Sequence, residues 1–375
     1  MKVRLLSEIL DDEIQLGLQG LNEGLPMGLE RLSDQIAGIQ RARYDLIGGD
    51  TGSGKTAFLD TAYVLNPFDY LEKNPGNKIK LEMLYFSLEI GAAAKIAKLM
   101  AWKIFKEKGV VVSTNQILSK GKKNRLPQDI YDAIKPQYPY FNKLQTIVDF
   151  RDGSLHPKQF YAIVKEYAEK HGTFTKDPVT KREHYTPHDP AKIILIIVDH
   201  LGLLNRMDKK AAIEELSQYA VWFRNTCGFS PVFVQQYNRT IQSTDRAKLN
   251  MVEPRLADFK QTAQTQEDAN TVIALFSPNR YKLQDFYGIQ VQQLKNRLRA
   301  AYFLKNRDGE EGLHVPLNFF GEVGYFREFP QYTYNTGFTK EVYEVGNDIK
   351  RQFDYGGTNF SSGTLGYGQI PFTQE

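Results

Sequence analysis

The chain has 375 residues and one cysteine, Cys227, so no internal disulfide can form and no cysteine metal cluster can be built. Such usage fits a reducing compartment, and a cytoplasmic location is expected. Long apolar runs are missing too. The longest, Ile193 to Val198, is far short of a bilayer span, and the N-terminal Met-Lys-Val-Arg-Leu-Leu-Ser lacks the apolar core of a signal peptide. No membrane partner is expected. A strong charge of one sign is absent: 48 Lys and Arg stand against 44 Asp and Glu. Any nucleic-acid site must therefore come from local clusters and not from the field of the whole molecule. Histidine is sparse. Three of the six, His171, His184 and His188, fall in a polar, proline-punctuated stretch at 171–192. Their spacing fits no zinc pattern, and a solvated surface hairpin is expected there. Repeats of solenoid length are absent as well.

The rest of the composition is that of a soluble globule, with chain enough for one large α/β domain or two small ones. Apolar runs at 44–48, 82–87, 144–150, 193–198, 231–235, 271–276 and 300–304 read as strands. Helical patterns at 91–108, 156–170 and 211–226 lie between them, which predicts an α/β fold with a mostly parallel sheet flanked by helices. A hairpin is expected over 313–329. Residues 2–20 carry Val3, Leu6, Ile9, Leu10, Ile14 and Leu18 near a helical period, and Gly24 to Gly28 then breaks the pattern. A helix standing apart in this way must bury its stripe on something, such as a neighbouring subunit. The expected organisation is a separate, possible oligomerisation helix over 1–22, a main α/β domain over 23–330, and a Tyr/Gly-rich tail over 331–375. That tail reads either as a flexible extension or as a surface strap.

Residues Gly49, Asp50, Thr51, Gly52, Ser53, Gly54, Lys55 and Thr56 fit the phosphate-loop pattern G-x4-G-K-S/T without mismatch. A strand signal, Tyr44 to Ile47, precedes them and a helical one, Ala57 to Ala62, follows. Glycines without a Cβ let the backbone curl its N–H groups toward phosphate oxygens, and the helix N-terminus adds its positive end. Lys55 is placed to meet the β and γ phosphates, and Thr56 to offer a hydroxyl to Mg²⁺. ATP and Mg²⁺ are the expected cofactors. Asp199, at the C-terminal lip of the most apolar strand, is the natural second Mg²⁺ group. Glu89 closes another strand, where a carboxylate suits a general base for an attacking water or, alternatively, a first-turn helix acid. Gln236 ends a third strand, as a γ-phosphate sensor or as a polar loop residue. Lys305 and Arg307 flank a turn. They read as an arginine-finger pair reaching a neighbouring subunit's nucleotide, or as two solvated charges.

Taken together these blocks resemble the motor domain of the DnaB-type hexameric replicative helicases, a RecA-like fold. Gly24-Leu25-Pro26-Met27-Gly28-Leu29 resembles that family's opening segment, and Phe86-Ser87-Leu88-Glu89 its Phe-Ser-Leu-Glu motif, which points to Glu89 as the base. Ile197-Val198-Asp199-His200-Leu201 is similar to its Asp-Tyr-Leu block, with His200 in the tyrosine place. Gln235-Gln236-Tyr237-Asn238-Arg239 resembles its Ser-Gln-Leu-Asn-Arg block, and Lys305-Asn306-Arg307-Asp308-Gly309 its Lys-Gln-Arg-Asn-Gly finger. Leu256 to Lys260 and Gln266 to Ala269 resemble a further pair of blocks, with Lys260 where the family often has Arg. The resemblance implies an ATP-dependent, 5′–3′ DNA helicase working as a hexameric ring on single-stranded DNA, with a primase or loader as possible partner. Residues 2–20 are expected to take the place of the family's linker helix, and the family's primase-recruiting helical domain is expected to be absent. In such a motor two basic loops face the channel. One carries Arg206, Lys209 and Lys210, and the other carries Arg239, Arg246, Lys248, Arg255 and Lys260. Both would track a phosphate backbone without reading bases. The competing expectations are a recombinase-like filament ATPase and an ATP-gated scaffold or helicase loader.

Overall fold

A computed structural model describes residues 6–176, 180–181, 183–205, 207–238, 241, 246 and 251–329. The tail from 330 onward, and with it the expectation of an extension or strap, lies outside the described residues. Thirteen strands are described: β1 (Asp45–Gly49), β2 (Lys80–Ser87), β3 (Val148–Asp152), β4 (Gly172–Lys176), β5 (Glu183–Pro187), β6 (Lys192–Asp199), β7 (Ser230–Gln236), β8 (Thr271–Phe276), β9 (Asp285–Phe286), β10 (Ile289–Gln290), β11 (Leu298–Asn306), β12 (His314–Phe320) and β13 (Tyr325–Glu328). Nine of them form one sheet in the order β13-β12-β11-β8-β1-β7-β6-β2-β3. From β8 to β3 the pairing is parallel, and β11, β12 and β13 add on antiparallel.

The centre of the sheet is where the sequence is most apolar. Ile193 to Val198 of β6 are all buried, as a strand covered by helices on both faces must be. Each such side chain contributes roughly 1.5–3 kcal/mol by leaving water. The longer helices are α1 (Leu6–Leu18), α2 (Lys55–Lys73), α3 (Ala92–Lys108), α4 (Tyr138–Ile147), α5 (Pro157–His171) and α6 (Lys209–Cys227). Within α2 the residues Asp60–Leu65 form a π turn. It lies just ahead of Pro67, which has no N–H to offer the preceding turn, and a widened turn tolerates that gap. Helix α6 starts at Asp208, whose carboxylate accepts from Ala211 N at 3.0 Å, and stops at Gly228, in the left-handed conformation. Among the described residues no helix is long and apolar enough to cross a membrane.

Two strands depart most from the sequence pattern. Residues 144–147, read there as strand, are the last turn of α4, and β3 starts at Val148. Phe141 and Leu144, three apart, are both buried on one helix face, and tertiary packing decides a short apolar run of this kind. Strand β11 is longer than 300–304 because it is paired on both sides, by β8 and by β12. The stretch at 171–192 folds its described part into the antiparallel pair β4–β5. Phe174 of that pair stacks on Trp222 of α6. His188 Nε2 sits 3.2 Å from Thr173 Oγ1, and His171 Nε2 sits 3.1 Å from Glu82.

Helix α1 shows Leu6, Leu10, Ile14 and Leu18 at 85, 61, 49 and 77% exposure. These residues repeat every four positions and so share one face. An apolar face so open has no partner among the described residues.

Candidate nucleotide site

The site is built on the turn from β1 into α2. Gly52 and Gly54 have φ of 79° and 97°, which side-chain-bearing residues rarely adopt. At Gly54 a Cβ would also stand 3.0 Å from ring carbons of Phe319 and Phe326. These torsions turn the loop over the start of the helix, so that residues 50–56 frame a concave mouth. Lys55 opens α2, is buried, and donates through Nζ to the Asp50 carbonyl at 2.7 Å. Burial lowers its pKa to about 8, against the pull of the Asp199, Asp50 and Glu89 carboxylates.

Parallel pairing brings the other strand ends to the same edge. Gly49 lies opposite Gln236 across β1–β7, and Ser87 lies opposite Asp199 across β2–β6. Asp199 is buried at the lip of β6, and its Oδ1 accepts from the Thr56 hydroxyl at 3.1 Å. Leu88 N donates to the Asp199 carbonyl at 2.8 Å, so Glu89 stands one residue beyond a pinned strand end, its side chain exposed. Gln236 Nε2 is 3.5 Å from Nε2 of His200, whose pKa burial lowers. Lys55, Thr56, Glu89, Asp199, His200 and Gln236 all line one cavity of about 310 Å³.

Three contributors escaped the sequence. Arg299 of β11 donates through Nε to the Ser53 carbonyl at 2.9 Å. Arg280 donates to the Thr51 carbonyl at 2.8 Å, and the Tyr281 hydroxyl donates to the Asp50 carboxylate. The two arginines hold the loop from outside by its carbonyls, and the tyrosine holds it by the Asp50 side chain. The one available signal was Arg299 itself, a charged residue in the otherwise apolar strand from Leu298 to Leu304.

A hydroxyl and a carboxylate that meet at the lip form an oxygen donor set of the kind Mg²⁺ takes alongside phosphate oxygens. Thr56 and Asp199 therefore fit the ion. Among the described residues no group of three or more His, Cys, Asp or Glu is arranged to hold a metal by itself. A nucleotide-borne ion does not need one.

The predicted finger is elsewhere. Asn306 at the end of β11 pairs with Thr271 at the start of β8, so Lys305 and Arg307 lie at the sheet edge opposite the cavity. There Lys305 Nζ donates to the carbonyls of Gln266 at 2.7 Å and Glu267 at 2.8 Å, and Arg307 Nη2 donates to Glu267 O at 2.8 Å.

Both predicted basic loops leave the cavity edge, from the ends of β6 and β7. Arg206, Arg239 and Lys248 lie outside the described residues. Lys209 donates to the Leu204 carbonyl, and Lys210 stands 3.9 Å from Glu214. Arg246 turns inward, pairing with the buried Asp258 and donating to the carbonyls of Met251 at 2.8 Å and Glu253 at 2.7 Å. Arg255 and Lys260 are exposed. The main chain of Lys260 is fixed on both sides, its N–H donating to Gln236 O at 2.9 Å and its carbonyl accepting from the Gln235 amide.

Comparison with known proteins matches residues 24–328 to the DnaB-like helicase C-terminal domain. No curated protein matches the chain by sequence. Among solved structures, one described as an ATPase domain is similar with a TM-score of 0.62 at 17% identity, covering 87% of this chain and 99% of that one. A DnaB-like replicative helicase, described with its interactions with primase, gives 0.60 at 17% identity over 87% of this chain and 67% of that one. At such identity the two structures speak for the fold, which is RecA-like. The family match spans most of the chain and carries the rest: this is a helicase domain. The chain belongs to the DnaB-like helicase C-terminal domain family.

Proposed function

We propose that this chain is an ATP-driven motor that assembles head to tail into a hexameric ring, hydrolyses ATP between subunits and moves 5′–3′ along single-stranded DNA. The observation that carries this reading is a cavity complete on one side only. Lys55, Thr56, Glu89, Asp199 and Gln236 converge on it, while Lys305 and Arg307 lie at the opposite edge of the same sheet. In this reading the loop 49–56 cradles the phosphates, Lys55 bears on the β and γ groups, and Thr56 with Asp199 holds Mg²⁺. The ion, when bound, supplies neutralisation of phosphate charge. Glu89 orients water and takes its proton. Gln236 senses the γ-phosphate, and Lys305 and Arg307 serve the nucleotide of the next subunit. Because Lys260 is fixed by its main chain to Gln235 and Gln236, the second basic loop is anchored to the sensor strand. Arg206, Lys209, Lys210, Arg239, Lys248, Arg255 and Lys260 are proposed to follow the DNA backbone. Arg246, held by Asp258, is proposed to shape that loop. By analogy with the replicative helicase neighbour, a primase or loader is the proposed protein partner. Residues 1–22 and 331–375 are proposed to flank the motor.

The test is unwinding of a forked duplex with ATP, comparing a 5′ with a 3′ single-stranded tail, together with electron microscopy of the complex. Unwinding that needs the 5′ tail, with closed or lock-washer rings, supports the reading. Long helical filaments without unwinding would replace it with a recombinase-like activity.

Two further outcomes are expected. Glu89→Gln keeps nucleotide affinity and slows turnover by about a hundredfold or more, the worth of a positioned base. Loss of affinity with normal turnover per bound nucleotide would make Glu89 structural. On α1, Leu10→Glu combined with Ile14→Glu alters exposed positions only, so thermal stability of the monomer should hold while sedimentation shows assembly lost. Unchanged hexamers at low micromolar protein would contradict docking by that face.

A further inference from the structure

Beneath the lip of β6 lies a buried polar group that none of the roles above uses. Lys95 of α3, Asp60 at the start of the π turn in α2, and Tyr85 of β2 are all fully or almost fully buried. Lys95 Nζ donates to Asp60 Oδ1 at 2.6 Å, to Asp60 Oδ2 at 2.8 Å and to the Tyr85 hydroxyl oxygen at 2.6 Å. Those three bonds use all the donors of an ammonium. Because Lys95 donates into the Tyr85 oxygen, the hydroxyl proton must point away from it. Two acceptors lie in that direction, Asp60 Oδ1 at 3.1 Å and Asp199 Oδ2 at 3.4 Å. Asp60 is already doubly engaged by Lys95. Asp199 is thus approached at both oxygens, by Thr56 on Oδ1 and by Tyr85 on Oδ2.

The charges matter as much as the bonds. Asp60 and Lys95 cancel, so Asp199 is left as the uncompensated anion of the group. An ammonium without Asp60 would compete with an incoming cation for Asp199. A carboxylate without Lys95 would compete with Asp199 for the Tyr85 proton. The same three residues also join the phosphate-loop helix α2, the strand β2 that leads to Glu89, and the helix α3 that follows it.

We propose that Lys95, Asp60 and Tyr85 are positioning residues that hold the Asp199 carboxylate, by a hydrogen bond and by a locally cancelled charge, in the orientation that receives Mg²⁺. The proposal rests on the assignment of Asp199 to the ion. Outer groups of this kind hold a ligand's rotamer and tune its basicity, and their loss typically weakens metal binding by ten- to a hundredfold.

The experiment is a Mg²⁺ titration of binding of a fluorescent ATP analogue to the full chain, with thermal unfolding followed in parallel. In Tyr85→Phe the half-saturating Mg²⁺ should rise about tenfold, while binding in excess chelator stays as in wild type. In Asp60→Asn, which leaves the Lys95 charge uncancelled, it should rise similarly. Adding Lys95→Met to Asp60→Asn removes that charge and should bring the titration back toward wild type. Titrations of Tyr85→Phe and Asp60→Asn that superimpose on wild type would overturn the proposal and reduce the group to packing. Should Asp60→Asn unfold, Tyr85→Phe, which deletes one oxygen, decides alone. If the wild-type chain itself shows no Mg²⁺-dependent nucleotide binding, the assignment of Asp199 fails, which is distinguishable from failure of its support.

Discussion

Lys55→Ala should lose ATP hydrolysis by at least about a thousandfold, a change of about 4 kcal/mol in transition-state stabilisation. The size follows from the setting. A lysine buried beside three carboxylates acts in a site poor in water, where a charge aimed at developing phosphate charge is worth far more than in solution. The fold should survive, since the Lys55 ammonium engages a loop carbonyl and fills no apolar core. The same burial gives the site a pH dependence. With its pKa lowered to about 8, the free ammonium gives up its proton as pH rises through that value. A bound triphosphate raises the pKa again, so binding above pH 8 takes up a proton, and affinity falls as pH climbs, by about tenfold from pH 7 to pH 9. Calorimetry in two buffers of different ionisation enthalpy reads the proton directly. Hydrolysis within a factor of about three of wild type, or binding at pH 8.5 without proton uptake, would remove Lys55 from the phosphates.

Arg307→Ala should be nearly as damaging, by about a thousandfold or more, if its guanidinium acts on a neighbour's nucleotide. The register of β11 against β8 puts Arg307 far from its own chain's cavity, so the defect must pass between subunits. Mixing therefore discriminates. Rings assembled from Arg307→Ala and Lys55→Ala chains contain some junctions where an intact Lys55 faces an intact Arg307. Those junctions should hydrolyse ATP although neither parent does. Absence of any recovery in rings shown to be mixed counts against action in trans, once titration with wild-type subunits has shown that isolated working junctions suffice.

The phosphate loop was legible because its whole signal is contiguous: the glycines, the lysine and the threonine act through the backbone they themselves shape. Asp199 was legible because six apolar residues before it can only be a central strand. Glu89 and Gln236 needed the sheet. Their strands were visible, but that both ends meet Gly49 and Asp199 at one lip is a property of strand order. Arg299, Arg280 and Tyr281 were out of reach, since nothing local in the sequence links residues 280–299 to residues 50–53. Lys95 was equally out of reach. In Ala92-Ala93-Ala94-Lys95 a lysine reads as a solvent-facing helix residue, and only the Asp60 carboxylate opposite it explains its burial. The start of β3 was missed because Leu144 to Phe150 is apolar enough for either a helix end or a strand, and α4 takes the first half.

If Lys305 and Arg307 complete the cavity of a neighbouring subunit, their placement at the opposite edge has a consequence for how activity responds to dilution. A catalytic unit made from two unlike surfaces requires a heterologous, head-to-tail contact, which leaves an unmatched surface at each end of any open chain of subunits. Specific activity should then rise with protein concentration until every unmatched surface has found its counterpart. Small changes in subunit rotation decide whether that happens by closure upon itself or by endless growth. A closed assembly loses no site to its ends, whereas an open one always carries one incomplete cavity and one idle pair of cations.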